Sequence, residues 1–440
     1  MIPRLRSLAL VALSLVPALA DAQWRHLESL PQVQREGSTV TFAAAADSGR
    51  SEHVAISVLA PEVVRVRFSP TAFGRDHSDT VVDRQLGAQD FRFDTTAAGS
   101  VIATAALRVE VQAAPFRLVI KDAEGRVIHA DDPGRGMAHD GSAVRAWTTL
   151  RDTDNVYGFG EKNGAFNKRG WSLGGYHYVM WNSDTYGYDN STDPIYASVP
   201  FYLVLSEGRA HGVFLDNTHR STFDVGRERR GLLSFGADGG ELDYYVVAGP
   251  HPRDVVRRYA ELTGRAPLPP RWALGYHQSR WSYYPEARVR RLANTFRQEQ
   301  VPADTLWLDI DYQDEFKPFT WSAERFPDPA KLVADLRAQG FRTVLILDPH
   351  PTKEPGYRIF DEGVAGDHFV KNPDGTLFEG PVWPINAPNK PGNSVFPDFT
   401  RPATRAWWGR QHKMFTDIGI AGIWNDMNEP AVWVPPANTM

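Results

Sequence analysis

The residues of this chain best suited to chemistry are carboxylates in one stretch, Gly422 to Pro430 (GIWNDMNEP), where Asp426 and Glu429 stand beside Trp424. An apolar approach, Ile420 to Trp424, runs into acids and amides and is stopped by Pro430. That is the pattern of a buried strand delivering carboxylates at its tip. Three earlier apolar runs also end in polar or aromatic residues: His277-Gln278-Ser279-Arg280-Trp281, Asp309-Ile310-Asp311 and Asp348-Pro349-His350. In parallel α/β architectures ligands meet the protein at the C-terminal ends of strands, so four such tips in succession read as a site. Carboxylates with flat indoles, and without a phosphate-cradling glycine loop, suit cleavage of a glycosidic bond. One carboxyl attacks or stabilises the anomeric carbon, a second protonates the leaving oxygen, and an indole packs on the C–H face of the sugar. Asp426, beside Asn425 and Asn428, fits the ionised partner, because amide neighbours hold a carboxylate charged. Two plainer readings stand next to this one. The acids could satisfy their own loop backbone through Asx-type hydrogen bonds. Asp309, Asp311 and Asp314 could form a calcium loop, but the glycine and terminal glutamate of such a loop are missing. The histidines lack zinc-site pairing, and neither metal nor cofactor is expected.

Parallel strands with helices outside must position these tips. From Trp272 onward the chain reads as strand Trp272 to Gln278, then a helix with the stripe Val289, Leu292, Ala293 and Phe296, then strand Thr305 to Ile310. A helix with Leu332, Val333 and Leu336 ends near Gly340, and strand Thr343 to Leu347 follows. After an excursion with the turn Asn372-Pro373-Asp374-Gly375, a helix over about Pro402 to Ile418, capped by Gly419, leads into the strand that ends at Asp426. Strands apolar on both faces mean a parallel sheet, and a barrel is the expected closure.

Before the stiff linker Ala266 to Pro270 the chain has another character. Short alternating runs, such as Val63 to Phe68 and Leu107 to Val111, with hairpin turns at Asp122 to Gly125 and Glu207-Gly208, predict an antiparallel β-sandwich. One segment departs from it: residues 157–196 are rich in Gly, Asn, Asp, Trp and Tyr without sustained period. They read as a loop that leaves the sandwich to cover something. The expected division is residues 1–22 a leader, 23–265 the sandwich and 266–440 the barrel region.

With 440 residues, 48 basic and 53 acidic, the net charge is -5. No basic run resembles a nucleic-acid footprint, so no nucleic-acid partner is expected. Arg4 and Arg6, the apolar run Leu8 to Val16 and small residues through Ala20 and Ala22 read as a secretory signal peptide cleaved after one of those alanines. A short membrane anchor is the alternative, but the run falls short of the ~20 residues a spanning helix needs. The expected mature protein is exported to the periplasm or beyond, with no membrane attachment. Zero cysteines exclude disulfides and thiolate metal sites.

YGFGEKNGAFNKRG, MWNSDTYGYDN, GYHQSRWSYY, LWLDIDYQDEFKPFTW, VFPDFTRP and above all GIWNDMNEP make the chain resemble glycoside hydrolase family 31, in its α-glucosidase-like branch. The resemblance implies a galactose mutarotase-like sandwich followed by a (β/α)8 TIM barrel, and cleavage of α-linked sugars with retention. Carried over position by position, Asp426 is the implied nucleophile. Asp309, Ile310, Ile346, Trp383, Trp424 and Met427 are implied sugar-pocket residues. Trp281 and Asp184 are implied contacts to the leaving-group side. Asp311, Glu429 and Asp348 are expected to stand behind these and orient them. Ile346 and Met427 suit plain barrel core equally well, Trp383 could merely anchor its loop, and Asp184 could be a solvated acid.

The family's acid/base lies two strands past the nucleophile and is absent from this chain, and eight strands are needed to close such a barrel. The expectation is therefore the first half of a barrel, truncated after strand four, in a piece of a longer enzyme that is nearly inactive by itself. General acid help is worth roughly 10²- to 10⁴-fold. The expected substrate is an oligosaccharide or other α-glucoside. Alternatives are a galactoside or xyloside, transglycosylation, or a non-catalytic carbohydrate-binding protein.

Overall fold

The computed structural model describes residues 24–45, 49–84, 86, 90–96, 99–170, 174–383 and 393–432. The proposed signal peptide lies outside the described residues. The chain divides into two compact units. One runs through Phe159 and takes in Ala165–Val179 and Pro200–Gly264; the other comprises Gly160–Gly164, Met180–Val199 and the chain from Arg265 onward.

The first unit is built from β-sheets. An eight-stranded sheet has the order Asn155–Gly160, Ser198–Ser206, Arg209–Leu215, Leu242–Ala248, Val63–Ser69, His53–Ala60, Thr39–Ala43 and Gln32–Glu36. A six-stranded sheet centres on Ala143–Thr149 and Leu232–Ala237, and a five-stranded sheet on Leu107–Ala113. The hairpin partners run antiparallel. Leu107–Ala113 keeps the alternation of a half-buried strand, whereas Leu232–Ala237 and Leu242–Ala248 are buried along their whole length. Packing one sheet on another buries one face, with Phe159, Tyr202, Phe223 and Phe235 filling the space between, and on the other face of Leu242–Ala248 Tyr245 and Val247 pack against Val255 and Leu262 of helix Pro252–Thr263. This is the expected sandwich.

The second unit contains a four-stranded parallel sheet of strands taken in chain order: His277–Gln278, Thr305–Leu308, Arg342–Leu347 and Gly422–Asn425. Leu306, Leu308, Leu345 and Leu347 lie in one core with Val289 and Ala293 of helix Glu286–Gln298 and with Leu332, Val333 and Leu336 of helix Pro329–Ala338. The apolar stripes of the helices thus cover one face of the sheet, as a βα repeat requires. Pro329 opens its helix behind the Asp328 cap, whose carboxylate accepts from Lys331 N–H at 2.9 Å.

Three expectations need correction. Residues 272–278 are not one strand: Arg271–Leu274 form a 3₁₀ turn and only His277–Gln278 pair. At Gly275 a side chain would strike Asp304, its Cβ only 1.8 Å from a carboxylate oxygen. The strand expected through Ile310 ends at Leu308, because the Asp309 carboxylate accepts from Ile310 N–H at 2.7 Å and starts a 3₁₀ turn over Ile310–Tyr312. The helix expected from Pro402 to Ile418 is broken into Pro402–Gln411 and Lys413–Thr416, although Gly419, at φ 93°, does terminate it.

Candidate active site

Register gathers the acids. Ile346 pairs with Trp424 and Leu347 with Asn425, so Asp348 and Asp426 are the next residues on neighbouring strands, about 5 Å apart along the backbone. Leu308 pairs with Leu345, which sets Asp309 beside Ile346. Parallel neighbours in register point to the same face, and residues two apart share a face. Trp307, Val344 and Gly422 therefore form one row across the sheet, Asp309, Ile346 and Trp424 the next, and Asp348 and Asp426 the last. The rows are linked by aromatic contact, with the Trp307 and Trp424 rings edge to face at 5.7 Å. Trp307 is itself steadied by donating to His277 Nδ1 at 3.1 Å.

Asp426 is half-buried, and its carboxylate accepts from Met427 N–H at 3.0 Å. Met427 can present that N–H because its backbone sits in the left-handed region, φ 57°. The amide support expected from Asn425 and Asn428 is not what the structure provides, since both residues are exposed. Alternation along the strand sends Asn425 to the face opposite Asp426. Burial pushes the Asp426 carboxyl above its ordinary value, against the Met427 hydrogen bond. The Asp348 and Asp184 carboxylates push it further up, and His350 opposes them.

The other acids crowd around it. Burial raises Asp309 to about 6, with Asp348, Asp311 and Asp426 adding to the rise. Glu429 is raised by burial and by Asp184, Asp426 and Asp348, and its Oε2 is buried without a partner. Asp348 and His350 are buried side by side, with 3.5 Å between carboxylate and ring; Asp348 Oδ1 and both ring nitrogens lack hydrogen-bond partners. Crowded carboxylates and unpaired buried polar atoms mark a cradle built for a polar, electron-poor guest rather than for its own stability.

Asp311 is buried and accepts from Trp281 Nε1 at 3.0 Å, and exposed Trp281 meets Trp383 edge to face at 5.8 Å. The tip of the first strand is thus tied to that of the second and to the excursion. Asp311 does not continue the strand face of Asp309, because the 3₁₀ turn begins between them. Ile310 and Ile346 are buried in the core, and Ile346 C=O accepts from Tyr312 OH at 2.8 Å.

Asp184 reaches the cluster from the segment Met180–Val199, which belongs to the same compact unit. That segment is pinned by Ser183 N–H to Ile195 C=O at 3.2 Å and by Lys162 to Asp193 at 2.8 Å. Only part of the 157–196 region behaves as the expected loop, since Tyr176–Met180 is a strand and Ala165–Val179 stays with the sandwich. Tyr196 was not singled out by sequence. Its phenol feels both Asp184 and Glu429, and its OH donates to Thr185 C=O at 3.1 Å. Its place among the loop aromatics was the available signal. His350, visible in sequence only as part of a strand tip, proves to be a neighbour of the nucleophile candidate.

Residues 266–440 match the family description "Glycosyl hydrolases family 31 TIM-barrel domain", and residues 53–224 match "Glycosyl hydrolase 31 N-terminal galactose mutarotase-like domain". The chain is 41% identical over 374 residues to an alpha-glucosidase 2 of Bacillus thermoamyloliquefaciens, covering 84% of this chain and 46% of that protein. It is 34% identical over 297 residues to an alpha-glucosidase of Saccharolobus solfataricus, covering 68% and 41%. A Flavobacterium johnsoniae GH31 dextranase, solved in complex with isomaltotriose, superposes with a TM-score of 0.85 at 30% identity, covering 94% of this chain and 49% of that one. The chain thus spans about half the length of the relatives it matches. With two domains of one family matched in order and α-glucosidases among its relatives, the chain belongs to glycoside hydrolase family 31, on the α-glucosidase-like branch.

Proposed function

We propose that this chain supplies the nucleophile side of a retaining glycoside hydrolase acting on α-glucosides. The observation that carries the reading is Asp426, set at a strand tip among Asp309, Asp348 and Glu429 with its carboxylate oriented by the Met427 N–H. In the first step Asp426 Oδ attacks the anomeric carbon as the bond to the leaving oxygen breaks, and a proton reaches that oxygen from an acid not assigned among the described residues. Water, giving a proton back to the group that protonated the leaving oxygen, then attacks the same carbon, the glycosyl–carboxylate bond breaks, and Asp426 is released as its carboxylate. Positive charge develops at the sugar ring in both transition states. A pocket of closely spaced carboxylates, already held apart by the fold, favours that charge without reorganising. Asp309 accepts ring hydroxyls, Trp424, Ile346 and Trp383 form the wall, and Trp281 and Asp184 meet the leaving-group side. The printed names of the relatives, α-glucosidases and a dextranase crystallised with isomaltotriose, support glucose as the sugar.

The test is trapping. A fluorinated α-glucosyl donor that reacts but turns over slowly should leave one hexosyl adduct on the peptide carrying Asp426 in the complete enzyme, read by mass spectrometry. An adduct on another carboxylate, or turnover with no adduct and inverted product, would sink the assignment. The leader is read as an export signal, so the N-terminus of exported protein should be Asp21 or Gln23; a retained Met1 would remove that reading.

A further inference from the structure

The sandwich unit holds a cavity of about 420 Å³ where turns from its sheets converge, within the size range of small-ligand sites. Its wall is a set of salt-bridged pairs. Arg126 donates to Asp122 at 2.8 Å, Arg209 to Glu124 at 2.8 Å and Arg258 to Glu62 at 2.7 Å. Arg151, also on the wall, is fixed by donating to Val127 C=O at 2.7 Å. Ala105, Ala106 and Ala248 supply small apolar ground between them. His211 lines the interior, 6% exposed, on a strand where it pairs with Ala248; burial pushes its ring down to about 3, so it is neutral at physiological pH. The neighbouring His129 is 5% exposed and its Nε2 has no hydrogen-bond partner. It lies on the strand whose Val127 and Ile128 line the cavity.

We infer that this cavity, lined wholly by residues of the sandwich unit, is a second carbohydrate site taking a neutral mono- or disaccharide. Charge decides the ligand class. Each guanidinium named here already has an acceptor, and each named carboxylate faces a guanidinium, so an anion would meet Glu62, Asp122 and Glu124 while a cation would meet the arginines. A neutral polyol avoids both penalties. The fixed forks still offer unused N–H groups and carboxylate lone pairs side by side, the spacing that vicinal hydroxyls need. The neutral ring of His211 supplies a partner for a hydroxyl or an ordered water at depth.

The inference stands apart from the proposed catalytic role, and the test keeps them apart. Maltose is titrated by calorimetry into the full chain carrying Asp309→Ala, which weakens the barrel pocket. Saturable binding that survives this change and is lowered about tenfold or more by adding Arg209→Ala or Ala105→Trp is expected. Arg209 opens its strand half-buried and Ala105 is exposed in a bend, so neither change removes core packing, and circular dichroism checks folding. Binding that Asp309→Ala abolishes, binding indifferent to both cavity variants, or no saturable binding would each overturn the second site while leaving the trapping experiment on Asp426 unaffected.

Discussion

The two units surround most of their clustered carboxylates differently. In the sandwich, Asp243 is held by Arg65 at 2.8 Å, Asp76 is held by Arg65 and Arg84, and Glu241 by Arg67. At the strand tips of the other unit, burial raises the proton affinity of Asp309, Asp426 and Glu429, and the Asp348 carboxylate adds to the rise of each. Asp348 Oδ1 and Glu429 Oε2 are buried unpaired. A carboxylate kept for structure is neutralised by its neighbours, because an unpaired buried charge costs several kcal/mol. One kept for chemistry is left short of partners, so that its charge remains for a guest to use. The sandwich has exceptions in Asp131 and Asp216, each raised by burial and each with one buried oxygen lacking a partner, so what marks the site is the gathering of several such acids on neighbouring strand tips.

The sharpest way to break the comparison is to neutralise one acid on each side. Asp426→Asn in the complete enzyme should lower kcat by about 10⁴-fold or more with little change in melting temperature; kcat within tenfold of the parent would place the nucleophile elsewhere. Arg65→Met should do the reverse, leaving turnover nearly intact while costing about 3–5 kcal/mol in urea unfolding, since Asp243 then stays buried without its cation. A loss below ~1 kcal/mol would mean that the sandwich pair is as dispensable as a surface bridge.

Acid titration sharpens the contrast at smaller scale. Asp309 is raised to about 6, so its carboxylate is fully charged above that pH and gains a proton below it. Affinity for an α-glucoside should fall as pH drops through about 6, by at most ~10-fold per unit. Stability contributed by this group moves the other way. The folded chain holds the proton more tightly than the unfolded one, so folding gains as pH falls from about 6 towards 4. Affinity flat between pH 7 and 5 would remove Asp309 as a charged acceptor. The smallest effect expected is for Trp281→Phe, which deletes the donor to Asp311 and keeps an aromatic ring. It should raise KM a few-fold, about 1 kcal/mol, with kcat held; an equal fall in kcat would make Trp281 part of the transition-state contacts.

Much of this was legible in the sequence, because strand tips are local. Apolar runs ending in Asp309, Asp348 and Asp426 mark themselves, as do the helix stripe at Val289 to Phe296 and the stop at Gly419. What pairing alone decides was not legible. The bond from Trp281 to Asp311, between separate strand tips, and the approach of Asp184 and Tyr196 to Glu429 depend on residues distant in sequence. Side-chain capture of the backbone was missed for a related reason. Asp309 turns its own carboxylate onto Ile310 N–H, which ends the strand two residues before its apolar pattern does. The broken helix at His412 and the 3₁₀ turn at Arg271–Leu274 likewise answer to packing rather than to period.

The pairing of Ile346 with Trp424 also bears on how such a site tolerates change over generations. The acids are spaced by the distance between hydrogen-bonded strands, so lengthening the excursion between Leu347 and Gly422 leaves Asp348 and Asp426 as close as before. One residue inserted inside either strand is another matter: it shifts everything beyond it by about 3.3 Å and turns the tip to the opposite face. Length variation among descendants of this chain should therefore accumulate between the tips, while the acid cluster keeps its dimensions.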